Sequence, residues 1–264
     1  MKKLSLALLL IVPTLMFGQS ALEGTWRTNM DQSQLSQKPY TFTVNGGMYE
    51  CSSCVPRINI KADGTDQAVT GQSYDTLSAR IDGPDSVTFV GKKSGKTVFE
   101  QTRMVTADGN TLTLKSTSYP MNADQPVQTA VTFTREEQPP TGANATSGAW
   151  RVNKINQSEA ALTTTYKWSN GELHMSEPTG EHYSAKLDGK DYPYHGSYSF
   201  DAVSLRRIDE HTIEETAKRG GRIIEVSKIS VSPDGKTLTS VVNNKLVDRT
   251  STFVSEKQNM EAEK

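Results

Sequence analysis

Two stretches of this chain carry the same landmarks in the same order, and that repetition constrains the fold more than any other feature. Gly24-Thr25-Trp26-Arg27 is echoed by Gly148-Ala149-Trp150-Arg151. Asp63-Gly64, followed by Gly71, is matched by Asp188-Gly189, followed by Gly196. The run Ala107 to Thr113 returns as Pro233 to Thr239, each with Asp-Gly followed by Thr-Leu-Thr, and both halves close on Thr-Phe, at Thr132-Phe133 and Thr252-Phe253. A spacing that holds near ~125 residues over an ordered series is the signature of a duplicated unit. The expected organisation is a first repeat over 21–135, a join at 136–147, a second repeat over 148–255 and a frayed charged tail at 256–264.

Inside each repeat the period is that of strands. Tyr40 to Val44, Ser86 to Val90, Thr111 to Leu114 and Thr129 to Thr134 alternate apolar with polar residues. Thr163 to Trp168, Ala202 to Arg206, Thr212 to Thr216 and Thr237 to Val242 do the same in the second repeat. A period of two sends one set of side chains inward and leaves the other in water. Between these runs lie Asn45-Gly46-Gly47, Ser94-Gly95, Asp108-Gly109, Asn170-Gly171, Gly220-Gly221 and Asp234-Gly235. Such residues supply the positive φ that tight hairpins require. Turns this frequent, with no long helical interval, exclude parallel βαβ architecture. Met30 to Leu35 and Asn156 to Ala161 are each expected to form one helical turn. The join, rich in Pro, Gly, Ser and Thr, reads as a solvated linker.

Each unit must bury its apolar faces and hide its edge strands. A closed antiparallel up-and-down barrel does both, and a two-sheet sandwich is the other solution. The fold class is therefore all-β: two tandem barrels, or two sandwiches. The opening Gly-x-Trp at Gly24 to Trp26 and at Gly148 to Trp150, on the first strand of a meander, resembles the lipocalin and calycin barrels. The resemblance implies that Trp26 and Trp150 close the base of a barrel, often beneath a basic side chain. The chain is also similar to small secreted bacterial domains that pair a Gly-x-Trp start with the ending seen here at Ser232 to Thr239.

The N-terminus sets the expected compartment. Met1-Lys2-Lys3 is basic, Leu4 to Phe17 is largely apolar, and the small residues Gly18 and Ser20 follow. That order describes a secretory signal peptide over 1–20, cleaved after Gly18 or Ser20. The apolar segment is too short for a membrane span, and neither cleavage leaves a cysteine for lipid attachment. The chain is thus expected to be exported, to a bacterial periplasm or beyond. Its 29 basic and 30 acidic residues are interspersed. Nucleic-acid binding rests on concentrated basic surface, so nucleic acid is not an expected partner.

Few residues nominate chemistry. Cys51 and Cys54 are the only cysteines. A structural disulfide is the expected state in an oxidising compartment, ahead of zinc ligation, which needs two further ligands, and redox exchange, which favours a helix N-terminus. The four histidines, His174, His182, His195 and His211, all fall in the second repeat and read as scattered surface residues. No nucleophile elbow, phosphate loop or metal-ligand spacing is present, so neither an enzyme nor a cofactor is expected. Tyr183, Tyr192, Tyr194, Tyr198 and Phe200 crowd one stretch of the second repeat. Core packing is the plainer reading of these five, and a ligand mouth is the functional one. The expected function is non-enzymatic binding of a small hydrophobic or amphipathic molecule. The competing reading is a structural or interaction module of the envelope. An enzyme would require a pocket that gathers His182, His195 and Asp201.

Overall fold

A computed structural model describes residues 21–123 and 125–259. The expected leader at 1–20 and the last part of the tail, 260–264, lie outside them. Strand β1 spans Gly24–Gln34. A meander follows: β2 Tyr40–Asn45, β3 Met48–Cys51, β4 Ile58–Lys61, β5 Gln67–Ala68, β6 Thr76–Gly83, β7 Ser86–Lys93, β8 Lys96–Val105, β9 Thr111–Ser118 and β10 Val127–Glu137. Then come β11 Gly148–Gln157, a 3-10 turn at Glu159–Ala161 and β12 Thr163–Ser169. The chain finishes with β13 Glu172–Ser176, β14 His182–Ala185, β15 Asp188–His195, β16 Ala202–Arg207, β17 Thr212–Arg219, β18 Arg222–Val231, β19 Thr237–Asn244 and β20 Arg249–Lys257. The eight strands and six turns expected from the period-two pattern are all present.

These strands form two ten-stranded antiparallel sheets, one a closed barrel and the other nearly closed. The all-β, up-and-down architecture is as expected, and a pair of sandwiches is set aside. In the nearly closed sheet, formed by β2–β11, the gap lies between β4 and β5. There Lys61 N donates to Gln67 Oε1 and Gln67 Nε2 donates to Lys61 O, both at 2.9 Å, so a side-chain amide stands in for a missing ladder rung.

The barrels are not the two contiguous segments that the repeat boundaries suggest. β1 pairs with β12 and β20 and so completes the second barrel, whereas β11 pairs with β10 and β2 and completes the first. The two opening strands have traded places. Trp26, 1 % exposed, belongs to the core of Tyr166, Leu173 and Leu205; Trp150, fully buried, belongs to that of Phe42, Phe89 and Leu112. Each indole donates to the carbonyl four residues earlier, Leu22 O and Thr146 O, at 2.8 Å. Lys257 Nζ lies 5.2 Å from the Trp26 ring and the Arg135 guanidinium 4.0 Å from Trp150.

Three local expectations are corrected. Met30 to Gln34 continues β1 instead of forming a helical turn: it bulges between the rungs Asn29↔Val254 and Gln34↔Thr252 of the ladder with β20. Residues 136–147 are no solvated linker throughout: Glu136 and Glu137 end β10, and Thr146 and Ser147 are fully buried. Their short hydroxyls satisfy nearby polar groups, Ser147 Oγ accepting from Val44 N at 2.8 Å and Thr146 Oγ1 donating to Asn144 Oδ1 at 2.8 Å. Glu256 and Lys257 belong to β20, so the second barrel extends past residue 255.

Candidate functional site

Cys51, the last residue of β3, is joined to Cys54 in a disulfide. The five aromatics do not form one mouth. Tyr183 is 1 % exposed and Tyr194 9 %, both within the second barrel's core, with ring centroids 5.6 Å apart and Phe200 5.4 Å from Tyr194. Tyr192 is turned towards Asp188, to which its hydroxyl donates at 3.1 Å. Tyr198 alone of the five lines a large hollow. His182 and His195 pair across β14 and β15 and stack at 5.1 Å on the exposed face, while Asp201 caps the Gly220 amide at 2.7 Å. Among the described residues no group of three or more His, Cys, Asp or Glu side chains is placed to hold a metal ion.

The hollow that Tyr198 lines, about 550 Å³, opens from the first barrel's interior towards the second; a slightly larger one, about 620 Å³, lies elsewhere, beside Met30 and Lys154. A further hollow of about 320 Å³ lies deeper in the first barrel, above Trp150 and Leu112. Cys54, Gln101 and Arg103 line both hollows of the first barrel. Both volumes fall within the ordinary range of small-molecule sites, about 300–1,000 Å³. At the second barrel's base, by contrast, the space beside Leu22 and Trp168 is about 10 Å³.

Arg103 divides the two hollows. It stands on β8 at an inward position, in step with Phe99, Gln101 and Val105, because alternate residues of a strand share a face. Its guanidinium carbon lies 4.3 Å from the Phe42 ring centroid and 4.5 Å from that of Phe89. Gln101, with its amide oriented to satisfy both groups, accepts from Arg103 Nε at 2.7 Å and Nη2 at 3.1 Å, and Arg103 Nη1 donates to Tyr49 Oη at 3.4 Å. These partners are neutral. A guanidinium on aromatic faces keeps its charge and its planar fork of donors, which fits carboxylate, phosphate or sulfate.

The opposite wall is acidic. Glu177 and Glu181, from the β13–β14 turn, line the outer hollow. Behind them stand Glu215 on β17 and Glu225 on β18. Their partners are hydroxyls: Tyr183 donates to Glu215 at 2.5 Å, Tyr194 to Glu181 at 2.9 Å, and Thr179 to Glu177 at 3.0 Å. Burial pushes the Glu177 and Glu215 carboxyls up to about 7, with Glu181 and Glu225 respectively adding repulsion. Burial also raises Glu181 and Glu225 above the usual carboxylate range. This is the outcome for carboxylates taken from water without a cation beside them.

Sequence reasoning picked out none of these five charged residues. The available signal was parity: Arg103 and Glu215 sit in phase with apolar neighbours of strands that bury that face, which a solvated charge would not do. In class, the fold and hollow define a two-barrel, all-β protein with an internal small-molecule-sized cavity. No family model matches the sequence, and neither does any curated protein.

Proposed function

We propose that this chain is an exported, non-enzymatic binding protein, lipocalin-like in form, whose first barrel takes up a small amphipathic anion. The observation that carries the reading is Arg103, a guanidinium with no carboxylate partner among the described residues, set among aromatic rings where two hollows meet. An apolar body fits against Phe42, Phe89 and Leu112 in the deeper hollow or against Phe99 and Tyr74 in the outer one, with its acid group on Arg103. Binding in water-poor surroundings strengthens such a charge-assisted pair. Periplasmic or extracellular residence is part of the same reading. The Cys51–Cys54 disulfide supports it, and among the described residues no helix is long and apolar enough to cross a membrane.

Native mass spectrometry and thermal shift with dodecanoate, dodecyl phosphate, dodecanol and dodecyltrimethylammonium test the reading. The two anions are expected to bind and stabilise; Arg103→Met is expected to weaken them by roughly 10–100-fold, the loss of a charge-assisted hydrogen bond. Equal response to all four probes, or to none, would refute it. The filled base of the second barrel favours a second reading for that half alone, as a scaffold without a small-molecule ligand.

A further inference from the structure

The two traded strands are not connected alike. β11 is fixed at both ends, running from β10 through 138–147 and on into β12. It pairs with β10 from Thr129↔Gln157 to Glu137↔Ala149. The segment before it is pinned: Arg135 donates to Ala145 O at 2.7 Å, to Ser147 O at 2.9 Å and to Gly109 O, and Asn144 donates to Gly83 O at 2.7 Å. β1 is the first strand among the described residues, and a single crossing at 35–39 joins it to the rest of them. It meets β12 over Gly24–Arg27, as β11 meets β2 over Gly148–Trp150, and its ladder with β20 shifts register between Asn29 and Gln34.

Residues 35–39 carry β1 across to β2 in the other barrel, and one cluster holds this crossing in place. Arg249 of β20 donates to Lys38 O and, at 2.6 Å, to Pro39 O, while its guanidinium lies 3.7 Å from the Tyr40 ring. Lys38 Nζ donates to Val247 O at 2.8 Å, and Ser251 Oγ accepts from Ser36 N at 3.0 Å. Arg249 is 7 % exposed and its Nε has no partner among the described residues, so the clamp also carries a desolvation cost.

We propose that β1 is an exchangeable strand, and that the cleft between β12 and β20 accepts the β1 of a second copy of this chain, giving a reciprocal strand-exchanged dimer. The cleft is specific for that strand. Leu22 and Trp26 fill the base of the second barrel, and Gly24 takes φ +135°, a backbone conformation that residues with a Cβ rarely adopt. Only β1 of another copy reproduces all three features in register. Exchange preserves every contact within the second barrel and alters only the crossing at 35–39, the condition under which swapping costs little. The short tether favours closure within one chain when copies are dilute, whereas concentrated folding favours the partner's strand. This inference is independent of any ligand.

The test is co-refolding of two single variants, Thr25→Cys and Thr165→Cys, whose hydroxyls lie 3.0 Å apart across the β1–β12 ladder. Neither variant can form this cross-link alone, so a covalent heterodimer on a non-reducing gel reports exchange. It is expected after refolding together at high concentration and not after mixing separately folded proteins. Light scattering on the unaltered protein, refolded over the same concentrations, is expected to show a dimer share that rises with concentration. Arg249→Met, which frees the crossing, is expected to raise that share about tenfold, the ratio that one lost charge-assisted hydrogen bond supports. A protein monomeric at every refolding concentration overturns the proposal. So does a dimer in which co-refolded Cys variants never cross-link.

Discussion

Charge at inward positions is the decisive feature at the scale of single residues. Glu177 and Glu215 hold their protons to about pH 7, whereas the same groups in an unfolded chain ionise near 4.5. Their contribution to stability is complete below pH 4.5 and is lost as pH rises through 7, because the folded state then holds carboxylates that burial disfavours. Thermal melting is therefore expected to fall between pH 5 and pH 8. Glu215→Gln should flatten that fall and raise the Tm at pH 8 by roughly 3–8 °C; an unchanged pH profile would show that Glu215 ionises as it does in water. The exposed Asp63, Asp108, Asp188 and Asp234, held below the usual carboxylate range by hydrogen bonds, act with the opposite sign in strong acid. The same acidic wall bears on binding: with Glu177 neutral below pH 7, dodecanoate should bind more tightly at pH 6 than at pH 8, as followed by isothermal calorimetry.

At the scale of elements, most of the chain was legible. The hairpin turns follow from Gly next to Asn, Asp or Ser, and the structure gives Gly46, Gly95, Gly109, Gly171 and Gly235 positive φ between the strands expected. The element that misled was Met30 to Leu35, expected as one helical turn, whose first five residues the structure places in β1 as a bulge between rungs with β20. Propensity is a weak prior that a tertiary ladder overrides. The opening glycines are a different case. Gly148 has φ +117°, and a Cβ there would strike the Glu137 carbonyl. Gly148→Ala is thus expected to cost about 1–3 kcal/mol by backbone strain, read by urea unfolding; a neutral outcome would show that β10 can yield.

At the scale of the molecule, the exchange of β1 and β11 reverses which half each tryptophan serves. Trp26→Ala should leave β2–β11 intact and loosen β12–β20, even though Trp26 precedes the first barrel in sequence. Trp150→Ala should loosen β2–β10 instead. Each substitution is expected to cost about 3–5 kcal/mol, and hydrogen exchange followed by mass spectrometry would map the loss. Loosening confined to the sequence-adjacent strands would contradict the topology.

The sequence alone determined the strands, their turns, their antiparallel class and the presence of two cores, because a period of two and positive-φ turns are local properties of the backbone. It could not determine which opening strand closes which barrel, since β1 and β11 carry the same Gly-x-Trp-Arg plug and nothing in the local pattern tells their places apart. Nor could it place Arg103 opposite Glu177, for that requires knowing how strands some 75 residues apart are brought together across one hollow. Those choices rest on long-range pairing, which only the assembled barrels settle.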